Sequence, residues 1–100
     1  MEANMFEKKD VIYSESMGVC RVADIVRLSP NNRLGEPVPY YLLKSVFDSS
    51  KVAYIPVKHH QVALRELISK EEALAVSEDE LKKLDELRQA EIRYVLEQEP

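Results

Sequence analysis

Residues 18–25 read GVCRVADI, and residues 51–57 read KVAYIPV. In the first stretch apolar and polar side chains alternate, and this period-two pattern predicts a β-strand. Gly18, which opens the stretch, suits a turn position with a positive φ angle. In the second stretch Pro56 cannot donate a hydrogen bond to a neighbouring strand, so this strand is expected at the edge of a sheet or to end at the proline. The two stretches therefore predict a small sheet with an exposed edge.

Further strand patterns surround these two. Residues 11–13 form a short apolar run, and residues 38–46 are rich in β-branched and aromatic side chains. Turn-forming residues separate the strands, in SESMG at 14–18, SPNNRLGEP at 29–37 and FDSSK at 47–51. Several short strands with turns between them are typical of a strongly curved antiparallel sheet or a partial barrel.

After residue 62 the pattern changes to that of helices. Two capping boxes, in which a serine and a glutamate satisfy backbone donors at a helix start, are formed by Ser69 with Glu72 and by Ser77 with Glu80. They predict a short helix over residues 70–75 and a longer one over residues 78–98. The fold class expected is α+β: a curved antiparallel sheet or partial barrel followed by two C-terminal helices.

The longer predicted helix carries one stripe of side chains at helical spacing. Its members are Leu81, Leu84, Arg88, Ile92, Val95 and Leu96. Such a helix is marginal alone in water, so the stripe needs a surface to cover: either the chain's own sheet or the same helix of a second copy, in a homodimer. Residues 1–68 are thus predicted to form a β domain, and residues 69–100 a helical segment that is complete or begins a larger helical domain.

Composition narrows the class of protein. The chain has 100 residues, of which 45% are hydrophobic and 32% charged. This composition predicts a small soluble globular protein. It has no apolar run long enough for a membrane span and no secretory signal, so a cytoplasmic location is expected. Residues 1–68 carry nine Lys/Arg against eight Asp/Glu, whereas residues 69–100 carry five against ten. Because nucleic-acid binders need a basic footprint, independent DNA binding is not expected.

The side chains that could do chemistry are few. His59 and His60 are adjacent, so on a strand they would point to opposite faces and could not readily share a metal ion. Cys20, the single cysteine, lies inside a strand pattern and is expected to pack rather than react. The acidic residues at 78–80 complement the dipole of a helix start, and two glycines cannot build a phosphate-binding loop. No enzyme activity, metal or cofactor is predicted. The mechanism that is still available to the chain is binding of a partner strand at the edge of its sheet.

Five stretches in order resemble the CarD/CdnL/TRCF family, in its RNA-polymerase-interacting domain. They are MFEKKDVIY at 5–13, GVCRVADI at 18–25, YYLLK at 40–44, KVAYIPV at 51–57 and ALRELISKEEA at 63–73. The resemblance covers about residues 5–75. The chain departs from the family pattern in having Lys9 where relatives usually have glycine, and in the spacing of the turn SESMGV. It also lacks the tryptophan and the larger helical domain with which full-length relatives contact promoter DNA.

The resemblance implies a Tudor-like five-stranded module that binds the β subunit of bacterial RNA polymerase by strand-to-strand contact. It implies a transcription regulator that reaches promoter DNA only indirectly, within the polymerase complex. By position, the contact surface falls on the end of the second strand and on the strand before the proline, at Ile25, Arg27, Leu28, Val52, Tyr54 and Ile55. Tyr54 stands where relatives often have arginine. The alternative is a stand-alone adaptor, peptide-binding or homodimeric, that does not act on polymerase.

The charge distribution gives a testable expectation for DNA. The C-terminal third is acidic, and the rest of the chain has only one more basic residue than acidic ones. The isolated chain should therefore show no measurable affinity for duplex DNA at physiological salt. A gel shift with promoter DNA checks this. A micromolar, salt-sensitive shift would contradict it.

Overall fold

The structure, a computed structural model, describes residues 6–29, 37–58 and 62–98. His59, His60 and most of the loop predicted at 29–37 lie outside these ranges. The elements in chain order are the strands β1 (Val11–Ser14), β2 (Gly18–Leu28), β3 (Val38–Ser45), β4 (Val52–Pro56) and β5 (Leu64–Glu66), followed by the helices α1 (Lys70–Leu74), α2 (Glu78–Lys83) and α3 (Glu86–Glu97).

The five strands form one open antiparallel sheet in the order β4-β3-β2-β1-β5. The α+β fold class, with a small antiparallel sheet followed by C-terminal helices, is therefore confirmed. β4 is the last strand at one side of the sheet and ends at Pro56. The proline was expected to place the strand at an edge or to end it, and the structure shows both.

The alternation predicted for residues 18–25 is interrupted by a β-bulge. Val22 pairs with Leu43, but Asp24 pairs with Leu42, which leaves Ala23 as the extra residue on β2. A bulge of this kind shifts the side chains beyond it to the opposite faces of the sheet. The sequence predicts an alternation without interruption, and this prediction is wrong at Ala23. The pattern of apolar residues did not reveal the bulge, because the inserted residue leaves the local composition unchanged.

The turn before β2 depends on Gly18, as the sequence predicts. Its φ angle is +80°, a conformation that residues with a Cβ atom rarely adopt. A Cβ atom at this position would also lie 3.0 Å from Cδ2 of Leu87 on α3. The glycine therefore permits both the turn and the close approach of the helix to the sheet.

Apolar side chains form two clusters. The first lies on the sheet and consists of Phe6, Ile12, Cys20, Val22, Tyr41 and Leu43. The Tyr41 hydroxyl accepts a hydrogen bond of 2.9 Å from the backbone N–H of Phe6, so the polar end of this buried ring is satisfied. The second cluster lies among the helices, where Ala73, Ile92 and Val95 are buried and Leu67, Ile68, Val76, Leu81 and Leu84 pack against them.

Both predicted capping boxes are present, but the second predicted helix is divided. Ser69 and Ser77 each accept from the backbone N–H three residues on, and the glutamates reciprocate. The expectation of one helix over residues 78–98 is wrong, because the chain is extended at Leu84 (ψ 156°) and helix α3 starts anew at Asp85. The Asp85 carboxylate accepts from the Arg88 N–H at 2.8 Å. This N-cap bond stabilises a helix start where continuous helix was expected.

The stripe of the helical segment packs within its own chain in the described structure. Ile92 and Val95 are buried in the second cluster, and Leu81 and Leu84 lie against it. The members of this cluster come from the helices and their connections, so these four side chains pack on helix α1 and its flanking residues, and not on the sheet as the intramolecular alternative had it. Leu96 is still 37% exposed.

An ion pair joins the helical segment to the sheet. The guanidinium of Arg65 on β5 donates two hydrogen bonds of 2.8 Å to the two oxygens of Glu91 on α3. Glu91 is 2% exposed and also accepts from the Ile68 N–H at 3.0 Å. The Arg65 guanidinium lies 4.2 Å from the ring centroid of Tyr13, and its pKa is raised above the usual value, mainly by the hydrogen bonds to Glu91.

Replacing Glu91 with alanine should lower the free energy of unfolding by about 2–3 kcal/mol, because the change leaves the Arg65 charge and the Ile68 N–H without their partner. Urea denaturation measures this. The matched control is Glu97→Ala on the same helix, where the side chain is exposed and the expected change is within about 0.5 kcal/mol. Equal stabilities for the two variants would contradict the role assigned to Glu91.

Candidate functional site

β4 (Val52–Pro56) has a strand on one side only. Two hydrogen bonds at its ends show which backbone groups point at β3: the Ser45 N–H donates to the Lys51 carbonyl at 3.0 Å, and the Val57 N–H donates to the Pro39 carbonyl at 3.1 Å. In an antiparallel pair, bonded and non-bonded residues alternate. Every second residue counted from Lys51 therefore bonds to β3.

The residues between them face the other way. Val52 and Tyr54 direct their N–H and C=O groups away from β3, and Pro56 directs a carbonyl but has no N–H. No described strand lies on that side. A row of unpaired donors and acceptors of this kind is a template for an additional strand.

The side chains of β4 divide between two faces. Ile55 pairs with the buried Tyr41 and packs against the first cluster. Successive side chains alternate, so Val52 and Tyr54 lie on the outer face, where they are 49% and 54% exposed. The β4 edge thus combines free backbone groups with two exposed apolar side chains.

The other predicted contact segment lies at the distal end of β2. β1 pairs with β2 only as far as Arg21, so beyond the bulge β2 has β3 on one side and no described strand on the other. Ile25 and Leu28 are each 38% exposed there, and Arg27 is exposed as well. This segment is a second stretch of open edge, but its outward Ile25 N–H already donates to the Asp24 carboxylate at 2.8 Å.

The six predicted contact residues therefore do not form one continuous patch. β3 lies between β2 and β4, and the two open stretches are on opposite sides of this three-strand unit, so one added strand can pair with only one of them. Ile25 and Ile55 flank Tyr41 in one row of the sheet. Sequence reasoning could not separate the two stretches, because strand order is set by pairings between distant residues.

The described residues give little support for chemistry at Cys20 or at a metal ion. Cys20 is fully buried, and desolvation raises its pKa to about 11, so it remains a neutral thiol. Among the described residues, no group of His, Cys, Asp and Glu is arranged to hold a metal ion.

A cleft of about 400 Å³ lies between β5 and the helices, with an apolar lining that includes Ile68, Val76 and Ile92. Of its charged groups, Arg65 and Glu91 bind each other, and Glu72 accepts from the Ser69 N–H in a capping box. Arg88 is the fourth charged residue of the lining. Since both carboxylates already accept hydrogen bonds, the cleft offers no acid–base pair for a reaction.

Comparison with known proteins identifies no relatives: no family model, curated protein or solved structure matches the chain. Within the described ranges, no helix has the length and apolarity needed to cross a membrane. The open edges are therefore the features on which a functional proposal depends.

Cys20 should react with a thiol reagent only when the protein unfolds, because the folded chain buries the sulfur and raises its pKa. Since the folded pKa exceeds the unfolded one, this group should also make the protein less stable as the pH rises above the ordinary thiol value. Labelling with an aromatic disulfide reagent, with and without denaturant, measures the first effect. Rapid labelling of the folded protein would contradict it.

Proposed function

We propose that this protein is a transcription regulator that binds the β subunit of bacterial RNA polymerase in the cytoplasm, by adding a polymerase strand to its β4 edge. The observation that carries the proposal is the open edge itself. Val52 and Tyr54 present unpaired backbone groups and half-exposed side chains at the position where the family resemblance expects partner contact.

Two further features support the link to the CarD/CdnL/TRCF family. The sheet has five antiparallel strands, which is the number of strands that the resemblance implies. Lys9, which stands where relatives usually have glycine, has a φ angle of 81°. That conformation favours glycine, so the backbone here has the shape that the family residue would permit.

In this mechanism the backbone supplies affinity and the side chains supply selectivity. The Val52 and Tyr54 N–H and C=O groups pair with the incoming strand, while the Tyr54 ring offers stacking or a hydroxyl contact where relatives have arginine. Ile55 supports the edge from the core side. Ile25, Arg27 and Leu28 on the distal end of β2 are available for a second contact with the same large partner, and promoter DNA is reached only through the polymerase.

The second candidate is an adaptor whose β4 edge takes an extended peptide from another protein, or which forms a homodimer through the C-terminal helix. The exposed Leu96 on α3 favours the homodimer form. Binding to the purified polymerase β subunit separates the two candidates, since an adaptor of either kind would not bind it.

Val52→Pro should weaken binding to the polymerase β subunit by about tenfold or more, because it removes an outward N–H donor and places a ring where the partner strand would lie. It leaves the β3 ladder intact, since the Val52 N–H does not face β3. Calorimetry with the purified β-subunit lobe measures the effect. The matched control is Glu66→Pro on β5, where the Glu15 N–H to Ala63 carbonyl bond likewise places the Glu66 N–H on the outside of the sheet.

Equal losses for the two proline variants, with unchanged thermal melts, would contradict strand addition at β4. Absence of binding by the wild-type chain would reject the polymerase proposal and favour the adaptor. Leu28→Arg tests the second contact in the same assay: a large loss of affinity with an unchanged circular-dichroism spectrum assigns the distal end of β2 to the interface, and wild-type affinity removes it.

A further inference from the structure

Two neighbouring cavities lie where β5 meets the helices. The first is the cleft of about 400 Å³ between β5 and the helices. The second is a recess of about 190 Å³, whose lining includes Tyr13, Glu15 and Asp85. Arg65 and Arg88 line both cavities. Because the cavities share these two side chains, one ligand can extend from the apolar cleft into the polar recess.

The cleft has the size and the lining of a small-molecule site. Val76, Leu84 and Ile92 line it, and all three belong to the second apolar cluster. Sites for small ligands are mostly apolar cavities of roughly 300–1,000 Å³, in which a few polar groups fix the orientation of the ligand. The cleft therefore suits a small apolar group, and the charged side chains around it select what that group is attached to.

Some of the charged side chains around the two cavities are already paired. The Arg65 guanidinium and the Glu91 carboxylate bind each other at 2.8 Å. Glu72, an exposed residue of the cleft, uses one oxygen to accept from the Ser69 N–H. The Arg65–Glu91 pair therefore contributes no net charge, and the charge that a ligand meets comes from the other groups.

The recess presents unpaired charge of both signs. Within the described ranges, the Arg88 guanidinium and the Glu15 carboxylate form no hydrogen bond and no ion pair. Asp85 uses Oδ1 to accept from the Arg88 N–H at 2.8 Å, which leaves Oδ2 available. Asp85 and Arg88 are three residues apart, so their side chains lie on the same side of the helix start.

We infer that the two cavities bind a free α-amino acid with an apolar side chain. The carboxylate of this ligand accepts hydrogen bonds from Arg88, its ammonium donates to Asp85 and Glu15, and its side chain occupies the cleft. Hydrogen bonds between ionised groups are stronger than those between neutral ones, so the two ends of the ligand fix its orientation.

The balance of charges favours a zwitterion over a simple acid or a simple amine. Once Arg65 and Glu91 are paired, one cation, Arg88, and the carboxylates of Glu15, Glu72 and Asp85 remain. A ligand with only a carboxylate meets net repulsion from this set. A ligand with only an ammonium leaves Arg88 unpaired beside a second positive charge. A zwitterion satisfies both signs and adds no net charge.

Binding should be weak and should decrease with added salt, because Glu15, Asp85 and Arg88 are exposed and solvent screens their charges. The two cavities are at the β5 side of the sheet, whereas β4 is the last strand at the other side. The inference therefore does not depend on the proposed contact with polymerase.

Isothermal titration calorimetry of the full chain with L-leucine tests the ligand class. Three further probes each remove one part of leucine: isocaproate lacks the ammonium, isoamylamine lacks the carboxylate, and glycine lacks the side chain. We expect saturable binding of leucine and affinities lower by about tenfold or more for the other three. Absence of leucine binding, or equal binding by any of the three, would overturn the inference.

Charge removal at Arg88 tests the site itself. Arg88→Gln should weaken leucine binding by about tenfold or more, because the ligand carboxylate loses its cation. The matched control is Arg93→Gln, an exposed residue of the same helix that lines neither cavity, and it should bind leucine like the wild-type chain. Equal affinities for the two variants, with unchanged thermal melts, would contradict the assigned site.

A third variant covers the case in which Arg88→Gln does not fold. Ala75 lines the cleft and is exposed, so Ala75→Phe reduces the space for the leucine side chain and leaves every charge in place. This variant should lose leucine binding while its circular-dichroism spectrum stays that of the wild type. Wild-type affinity in Ala75→Phe would show that the cleft does not take the side chain and would overturn the inference.

Discussion

Arg65 on β5 holds the buried carboxylate of Glu91 on α3 through two hydrogen bonds of 2.8 Å. A buried carboxylate is costly unless its lone pairs are satisfied, and here the Ile68 N–H supplies a third donor. The guanidinium also lies over the Tyr13 ring on β1. One ion pair thus connects two strands, the link to the helices and the last helix, and it is the polar contact that ties α3 to β5.

The helices depend on this attachment because each is short. α1 has 5 residues, α2 has 6 and α3 has 12, and isolated helices of such lengths are marginal in water. Their stability comes from the second apolar cluster around Ile92 and Val95 and from the contact of Leu87 with the turn at Gly18. The helices are linked to β5 at one side of the sheet, and α3 reaches the β3–β4 connection, where the ring centroids of Tyr94 and Phe47 are 6.2 Å apart. β4 itself, at the other side of the sheet, pairs among the described strands with β3 alone.

An open edge is a hazard as well as a binding site, since it can pair with any compatible strand. β4 limits that hazard by being 5 residues long and by ending at Pro56. The exposed Val52 and Tyr54 do not limit it, and this is why the edge supports the proposal of strand addition from polymerase. In that proposal the affinity arises from backbone groups that no described residue of the chain itself satisfies.

The sequence by itself determined the features that depend on neighbouring residues: the strand patterns, the positive φ at Gly18, the capping boxes at Ser69 and Ser77, and the edge position that Pro56 implies. Each follows from backbone bonding or sterics within a few residues. Only the tertiary structure decided the bulge at Ala23, the partner of Glu91, and the division of the predicted contact residues between two open edges. These depend on pairings such as Arg65 with Glu91, which are 26 residues apart. A local pattern carries no information about which distant group will lie opposite, because that is fixed only when the strands and helices pack.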